Sequence, residues 1–333
     1  MENVPAVSVI IPMYDAEKFI GECLDSILAQ TFKNYEVILV NDCATDNSRQ
    51  IAESYVEKFD GRLKIYDNEK NLGAGASRNK GLMLSGGEYI FFMDSDDTLI
   101  QQALGEMHTF AKNYNADVVN CTKVYRMNTD RTETVLSNVN DKVDKTVIEE
   151  DIKQRLETLL RNKLGWGVWL RLSRRSFLID NQIFFVEDLV WGEDQVWTYG
   201  LLCAKKVLHL PQAYYCKRKY SSTWKKRYHP QNLNVRYRAL VNGLKWIDDI
   251  LEKSEYFQQN PQFRHKVLDH FTRNAYSEIF KHSLKTPQAK IYESLKEEFG
   301  KDFGEYDVLI PALLTLVNTN QKEIDSLKKK LNK

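Results

Sequence analysis

Apolar residues recur along the first 121 positions in two alternating rhythms. Val7 to Ile11 is a short β-branched run that stops at Pro12, after which Phe19, Ile20, Cys23, Leu24, Ile27 and Leu28 return at helical spacing. That predicts a strand and then a helix. "YEVILV" (35–40) renews the strand signal and gives way to "NDCATDNS", where Asp46, Asn47 or Ser48 can cap a helix carrying Ile51, Ala52, Tyr55, Val56 and Phe59. The alternation goes on with a strand over 63–67, a glycine-containing turn and helix over 71–85, a strand over 88–94, a helix over 101–114 and a strand over 116–121. Strands alternating with helices predict a mainly parallel α/β sheet covered on both faces.

The second half reads differently. Residues 122–145 are rich in Thr, Asn and Asp and predict an irregular excursion or a hairpin. From 230 onward the pattern is helical: Leu233, Tyr237, Leu240, Leu244, Ile247 and Leu251 form one apolar stripe, and a second helix is expected over 263–280. Leu313, Val317, Asn320, Ile324, Leu327 and Leu331 then follow four- and three-residue steps, a short heptad seam with a polar residue at one core position. Packing on the chain's own domain, self-association to a homo-oligomer and contact with a membrane surface all fit it. The expected organisation is a domain over 1–225, in two parts (5–121 and 122–225), followed by a helical region over 226–333 with a tail at 311–333 open to oligomerisation.

Charge narrows the function classes. Lys and Arg number 47 against 46 Asp and Glu in 333 residues, which argues against a nucleic-acid partner and leaves any charge effect local. Cys23, Cys43, Cys121, Cys203 and Cys216 are scattered and odd in number, as expected of reduced thiols in a cytoplasmic chain. The N-terminus lacks a secretory pattern, and no run reaches the ~18 apolar residues a membrane helix needs.

The local charge that matters is "FFMDSDDTL" (91–99), an apolar strand ending in Asp94, Asp96 and Asp97. Unpaired carboxylates so placed repel one another, and a hard divalent cation relieves them; oxygen-only ligands favour Mg²⁺ or Mn²⁺, with nucleotide phosphates as natural co-ligands. Pro12 and Tyr14, Asp42 and the 94–97 acids all follow strands, so they are expected to converge on the carboxyl rim of the sheet. No P-loop is present. "NLGAGASRNKGL" (71–82) has Gly73 and Gly75 but Arg78 where a dinucleotide fingerprint needs a third small residue. Arg78 suits an anionic ligand, a base edge or a surface ion pair.

"VSVIIPMYDAEKFIGECLDSILAQTFKNYEVILVNDCATDNS", "NLGAGASRNKGL", "GEYIFFMDSDDTL" and "WGED", in this order, resemble the family-2 inverting glycosyltransferases of GT-A fold over about residues 5–225. The usual P-x-Y-N reads Pro12-Met13-Tyr14-Asp15 here, and the usual V-D-D-G-S reads Val40-Asn41-Asp42-Cys43-Ala44. The resemblance implies that Pro12 and Tyr14 lie at base and ribose, that Asp42 takes a base N–H, and that Asn71 and Arg78 border base and diphosphate. It implies that Asp94, Ser95 and Asp96 form the D-x-D turn at ribose and metal, with Asp96 or Asp97 the closer metal ligand. Asp194 becomes the base, with Glu193 orienting either it or the acceptor, and Arg218 and Ser222 close over the diphosphate. Without the resemblance, Glu193 and Asp194 read equally as a helix-start capping pair, and the basic run 217–227 as a solvated or membrane-facing patch. Trp166 and Trp169 are candidates to stack on a sugar, Trp191 and Trp197 for the core. His209, His229, His265, His270 and His282 lack metal-ligand spacing.

The implied function is metal-dependent transfer of a sugar from a nucleotide sugar, a UDP-sugar first, to a saccharide or lipid-linked saccharide in surface polysaccharide synthesis, in the cytoplasm or at the inner membrane face. A sugar nucleotidyltransferase and a non-catalytic nucleotide-sugar scaffold are the alternatives.

Overall fold

The computed structural model describes residues 4–127, 133–137, 145–161, 167–187, 193–218 and 233–280. The chain divides into two compact units, Met1–Ser221 and Ser222–Lys333.

In the first unit the predicted alternation appears almost as read. β1 (Val7–Met13), α1 (Ile20–Leu28), β2 (Tyr35–Asn41), α2 (Ser48–Glu53), β3 (Leu63–Asp67), α3 (Gly73–Leu84) and β4 (Tyr89–Phe92) follow in order. They build a parallel block, β3-β2-β1-β4. Every residue of β2 is buried, as a strand covered on both faces requires. Val9, Ile11 and Met13 share a core with Cys23, Leu24 and Ile27 of α1. Ile10 points the other way, against α3, where a Cβ on Gly81 would stand 2.3 Å from its Cγ2; only glycine lets the helix lie this close.

Beyond β4 the sheet becomes mixed. After the two-residue β5 (Thr98–Leu99) and α4 (Ala103–Asn113), β6 (Val118–Met127) folds back on β7 (Glu133–Ser137) as the hairpin that the polar excursion allowed. β8 (Val147–Glu149), α5 (Ile152–Leu160), β9 (Arg171–Arg174), α6 (Arg175–Asp180), α7 (Glu193–Tyr199) and β10 (Val207–Arg218) complete the unit. The full order is β3-β2-β1-β4-β9-β6-β10-β5, with β7 on β6 and β8 on β10. β9 inserts antiparallel between β4 and β6, and β6 and β10 then pair in parallel again, so the expected mainly parallel order is broken at its middle by one short strand and at its margins by β5, β7 and β8. A four-residue strand leaves too short a periodic run to announce itself in sequence.

In the second unit, α8 (Leu233–Glu252), α9 (Glu255–Gln259) and α10 (Pro261–Phe280) bury Leu244, Ile247, Leu251, Phe257, Val267 and Phe271. Pro261 opens α10, where its missing N–H is no loss. No described helix is long and apolar enough to cross a membrane. The heptad seam, the 311–333 tail, His229 and His282 lie outside the described residues.

Candidate active site

β1 pairs in parallel with both β2 and β4, so their carboxyl ends lie side by side. Pro12 is tolerated in this central strand for a definite reason. The Met13 carbonyl accepts from Asp42 N on the β2 side, which turns Pro12 toward β4, and the β4 pairing has already ended at Phe92 opposite Ile10. Tyr14 just beyond is 49% exposed, a flat ring free to cover a ligand. Asp15 follows with φ +46° and accepts Thr45 N at 2.8 Å and Thr45 Oγ1 at 3.1 Å, so the departure from Asn keeps a residue that tolerates this backbone. Cys43 stands at φ +61°, where the related motif has its glycine.

Asp42 is buried and its carboxylate is already engaged. Oδ1 accepts Leu72 N and Asn68 Nδ2, both at 2.8 Å, and Oδ2 accepts Gly73 N at 2.8 Å. It therefore caps α3, with Gly73 at φ +86° making the turn. One lone pair on Oδ2 is left open to a further donor. Asn71 donates to the Asp42 carbonyl at 3.3 Å on the open side.

The acids after β4 form a turn closed by Asp97 N to the Asp94 carbonyl at 3.3 Å. Ser95 and Asp96 are half-buried at its crown, and ligand oxygens of Asp94, Asp96 and Asp97 all lie within 4.8 Å of one another. Asp97 is the buried anchor: Oδ2 accepts Tyr215 Oη at 2.8 Å and Oδ1 accepts Arg218 N at 2.7 Å. Burial pushes the Asp96 carboxyl up to about 6, assisted by the Asp94 charge. For Asp94 burial opposes ionisation, but Lys217 and Arg78 more than offset it and hold the group below the usual range.

Arg78, on α3, is buried at 3% exposure rather than paired at the surface. Nη2 donates to Asp94 Oδ1 at 2.8 Å; Nη1 donates to Asp194 Oδ1 at 3.1 Å and lies 3.5 Å from Glu193 Oε1. The guanidinium rests on the Phe185 ring at 5.1 Å. Two carboxylate groups, one after β4 and one at the start of α7, thus meet on one cation. Burial pushes Asp194 up to about 7; Arg78 opposes this, and the Glu193 and Asp94 charges reinforce it. A carboxylate poised near neutrality is suited to proton transfer.

Residues that the sequence did not mark, together with members of the basic run, complete the site. Lys217 Nζ stands 3.6 Å from Asp94 Oδ2 and 3.9 Å from Asp97 Oδ2. Tyr215 and Lys217 lie two apart on β10, a spacing that could have marked them as facing one side. Behind α7, Thr198 Oγ1 donates to the Asp194 carbonyl at 2.8 Å, and buried Arg171 donates to Thr198 Oγ1 at 3.0 Å and to Asn120 Oδ1 at 3.1 Å. Arg218 Nε donates to the Asp96 carbonyl at 3.0 Å while its Nη2 pairs with Glu22, so the guanidinium is held by the turn and α1. Trp169 is 7% exposed, stacked on Tyr215 and overlain by Lys217 at 4.4 Å, which leaves it inside the wall and not presented for sugar stacking. Trp197 is core, as read, against Phe92 and Phe185. His209 is buried between Asn120 and Glu149. Ser222, Trp166 and Trp191 lie outside the described residues.

Residues 8–173 match the pattern of the family described as glycosyl transferase family 2. The chain belongs to that family. EpsJ of Bacillus subtilis, described as an uncharacterized glycosyltransferase, is 33% identical over 191 residues, 57% of this chain and 54% of EpsJ. The poly(ribitol-phosphate) β-N-acetylglucosaminyltransferase TarS of Staphylococcus aureus is 33% identical over 196 residues, 57% of this chain and 31% of TarS. This family 2 chain thus spans about half, or less, of the length of the curated relatives it matches first. Among solved structures, S. aureus TarS 1–349 in complex with UDP superposes with a TM-score of 0.63 at 26% identity, covering 85% of this chain and 76% of that one. The TarS 1–349 structure with UDP-GlcNAc gives 0.58 at 25% identity, covering 83% and 81%. The GT-A fold expected of the first unit is the fold of these structures.

Proposed function

We propose that this family 2 chain transfers a sugar from a nucleotide-sugar donor, with inversion, to a hydroxyl of a saccharide or lipid-linked saccharide during assembly of a surface polysaccharide. One observation carries the reading: Arg78 gathers Asp94, from the acid turn, and Asp194, poised near neutrality, at one rim. The TarS structures, solved with UDP and UDP-GlcNAc, support a UDP-sugar as the donor.

A divalent cation fits the acid turn. The donor set is all oxygen, and burial leaves Asp96 under-neutralised, the condition a hard cation relieves. Asp96 and Asp94 would hold it; Asp97 is the poorer ligand, since Tyr215 and Arg218 occupy both its oxygens. When bound, the ion neutralises charge growing on the leaving diphosphate. The chain's own groups do the rest. Tyr14 and the free Oδ2 lone pair of Asp42 receive the base, and Asp194 accepts the proton of the attacking hydroxyl from the face opposite the leaving group.

The test is incubation with Mn²⁺ and a panel of nucleotide sugars, scoring release of free nucleoside diphosphate. Turnover of a UDP-sugar is expected, with Asp194→Asn lowering it by about 10²–10⁴-fold while UDP still binds. Full turnover by Asp194→Asn would remove that residue from the role. Turnover of a sugar phosphate with a nucleoside triphosphate, and of no nucleotide sugar, would replace the reading with nucleotidyl transfer.

A further inference from the structure

Arg78 has few ways to satisfy its donors. Nη2 is committed to Asp94, and Nη1 is shared by Asp194 and Glu193. Nε is buried and has no acceptor among the described residues. Helix α3 on one side and the Phe185 ring on the other keep the guanidinium in place, so it can exchange partners but cannot retreat. Its one positive charge answers three carboxylates, and Lys217 contributes a second charge on the Asp94 and Asp97 side. Arg218 is turned to Glu22 and the Asp96 carbonyl. A diphosphate arriving at this rim therefore has to compete for Arg78 with the carboxylates that already hold it.

We propose that Arg78 couples donor to base: without donor its Nη1 holds Asp194, and the diphosphate of an arriving nucleotide sugar takes over that Nη1, releasing Asp194 for the acceptor's proton. This deepens the transfer reading above and rests on it. A carboxylate paired to a buried guanidinium is a weaker base than the same carboxylate unpaired. Release on donor binding confines proton removal to the moment when an electrophile is present. The acceptor oxygen then forms its bond to the anomeric carbon as its proton passes to Asp194, and the sugar–phosphate C–O bond breaks with its electron pair leaving on the diphosphate. Binding competition is reciprocal, so whatever the diphosphate does to the Arg78–Asp194 pair, the pair does to diphosphate affinity.

That reciprocity supplies the test. Calorimetric titration with UDP at one fixed Mn²⁺ concentration is made on the wild-type chain, Asp194→Asn, Arg78→Gln and the double variant. Asp194→Asn is expected to tighten UDP binding by about 5-fold or more, in the range of ordinary coupling energies. In the Arg78→Gln background the same change should do nothing. Unchanged affinity in Asp194→Asn overturns the coupling. An equal gain in both backgrounds overturns it too, because the effect would then be general repulsion by a nearby carboxylate. Should Arg78→Gln not fold, Arg78→Lys replaces it: the point charge cannot bridge as the fork does, so the gain should shrink below about 2-fold, and a full gain overturns the proposal. A wild-type chain that binds no UDP removes the donor reading and this coupling together, whereas UDP binding without the cycle effect removes the coupling alone.

Discussion

Asp42 ends its strand on one side of β1 and Asp94 ends its strand on the other, yet their carboxylates meet different company. Asp42 receives two backbone amides and one side-chain amide, all within its own half of the sheet. Asp94 receives Arg78 and Lys217, cations delivered by α3 and by the last strand, and its turn neighbour Asp96 is left with a carboxyl pushed up to about 6 by burial and the Asp94 charge. The first acid is a helix cap that a ligand can use; the second group stores negative charge. Residue type and topological position are the same. What separates them is whether fixed amides or exchangeable charges fill the lone pairs.

The widest separation between the two is expected in stability. Asp42→Ala removes one buried hydrogen bond, from Asn68 Nδ2, and two part-buried ones, from Leu72 N and Gly73 N, and should lower the unfolding free energy by about 3 kcal/mol in a urea titration, at ~1 kcal/mol for each bond lost. Asp96→Ala in chelator should cost little or raise stability, since it removes a repelled charge; an equal loss at both positions would erase the distinction. Next in size is binding. With Mn²⁺ present, Asp96→Ala should weaken UDP binding by about tenfold, or 1.4 kcal/mol, with no change in chelator. Equal affinity with and without the ion in the wild-type chain would remove the cation from the acid turn.

A smaller effect concerns pH. The carboxyls of Asp96 and Asp194 are raised to about 6 and about 7, above the unfolded value of ~3.9, so the folded chain binds these protons more tightly. Their contribution to stability is present below about pH 4 and is lost as pH rises through those values. In chelator, the melting temperature of the wild-type chain should fall more between about pH 5 and pH 8 than that of Asp96→Asn. Parallel curves would mean that the Asp96 carboxyl is not raised. The least effect lies on the Asp42 side: Cys43→Gly relieves a left-handed backbone at φ +61° and should stabilise by about 0.5 kcal/mol after the entropy cost of glycine. A loss in chemical denaturation would show that the Cys43 Sγ contact to the Asn68 carbonyl, 3.1 Å, outweighs the strain.

Much of the first half was legible because its signals are local. The strand over 63–67 coincides with β3, and the helix over 71–85 brackets α3. Of the three capping candidates, Asn47 takes the N-cap position of α2 without a side-chain bond, and Asp46 just before it accepts Ser48 N at 2.9 Å. β5, with two residues, and β9, with four, were not legible, because neither contains a full period of alternation. The same holds within the site. Asp94 to Asp97 stand out as acids after an apolar strand, but nothing near Arg78 in sequence distinguishes a surface ion pair from a buried hub. Its partners come from 16 and 116 residues away. Lys217 is legible only as one member of the basic run 217–227, and nothing in the sequence singles out Tyr215 or Arg171.

Taken alone, the residue order determined the βα alternation of the first half and the placing of acids beyond strand ends, since hydrophobic period and strand-end chemistry are properties of neighbouring residues. The tertiary structure alone decided which of those carboxylates are filled, by what, and how far their protonation is displaced. Such outcomes follow from burial and from opposite charges brought close by antiparallel insertion of β9, the start of α7 and the far end of β10, and through-space electrostatics has no counterpart in sequence spacing.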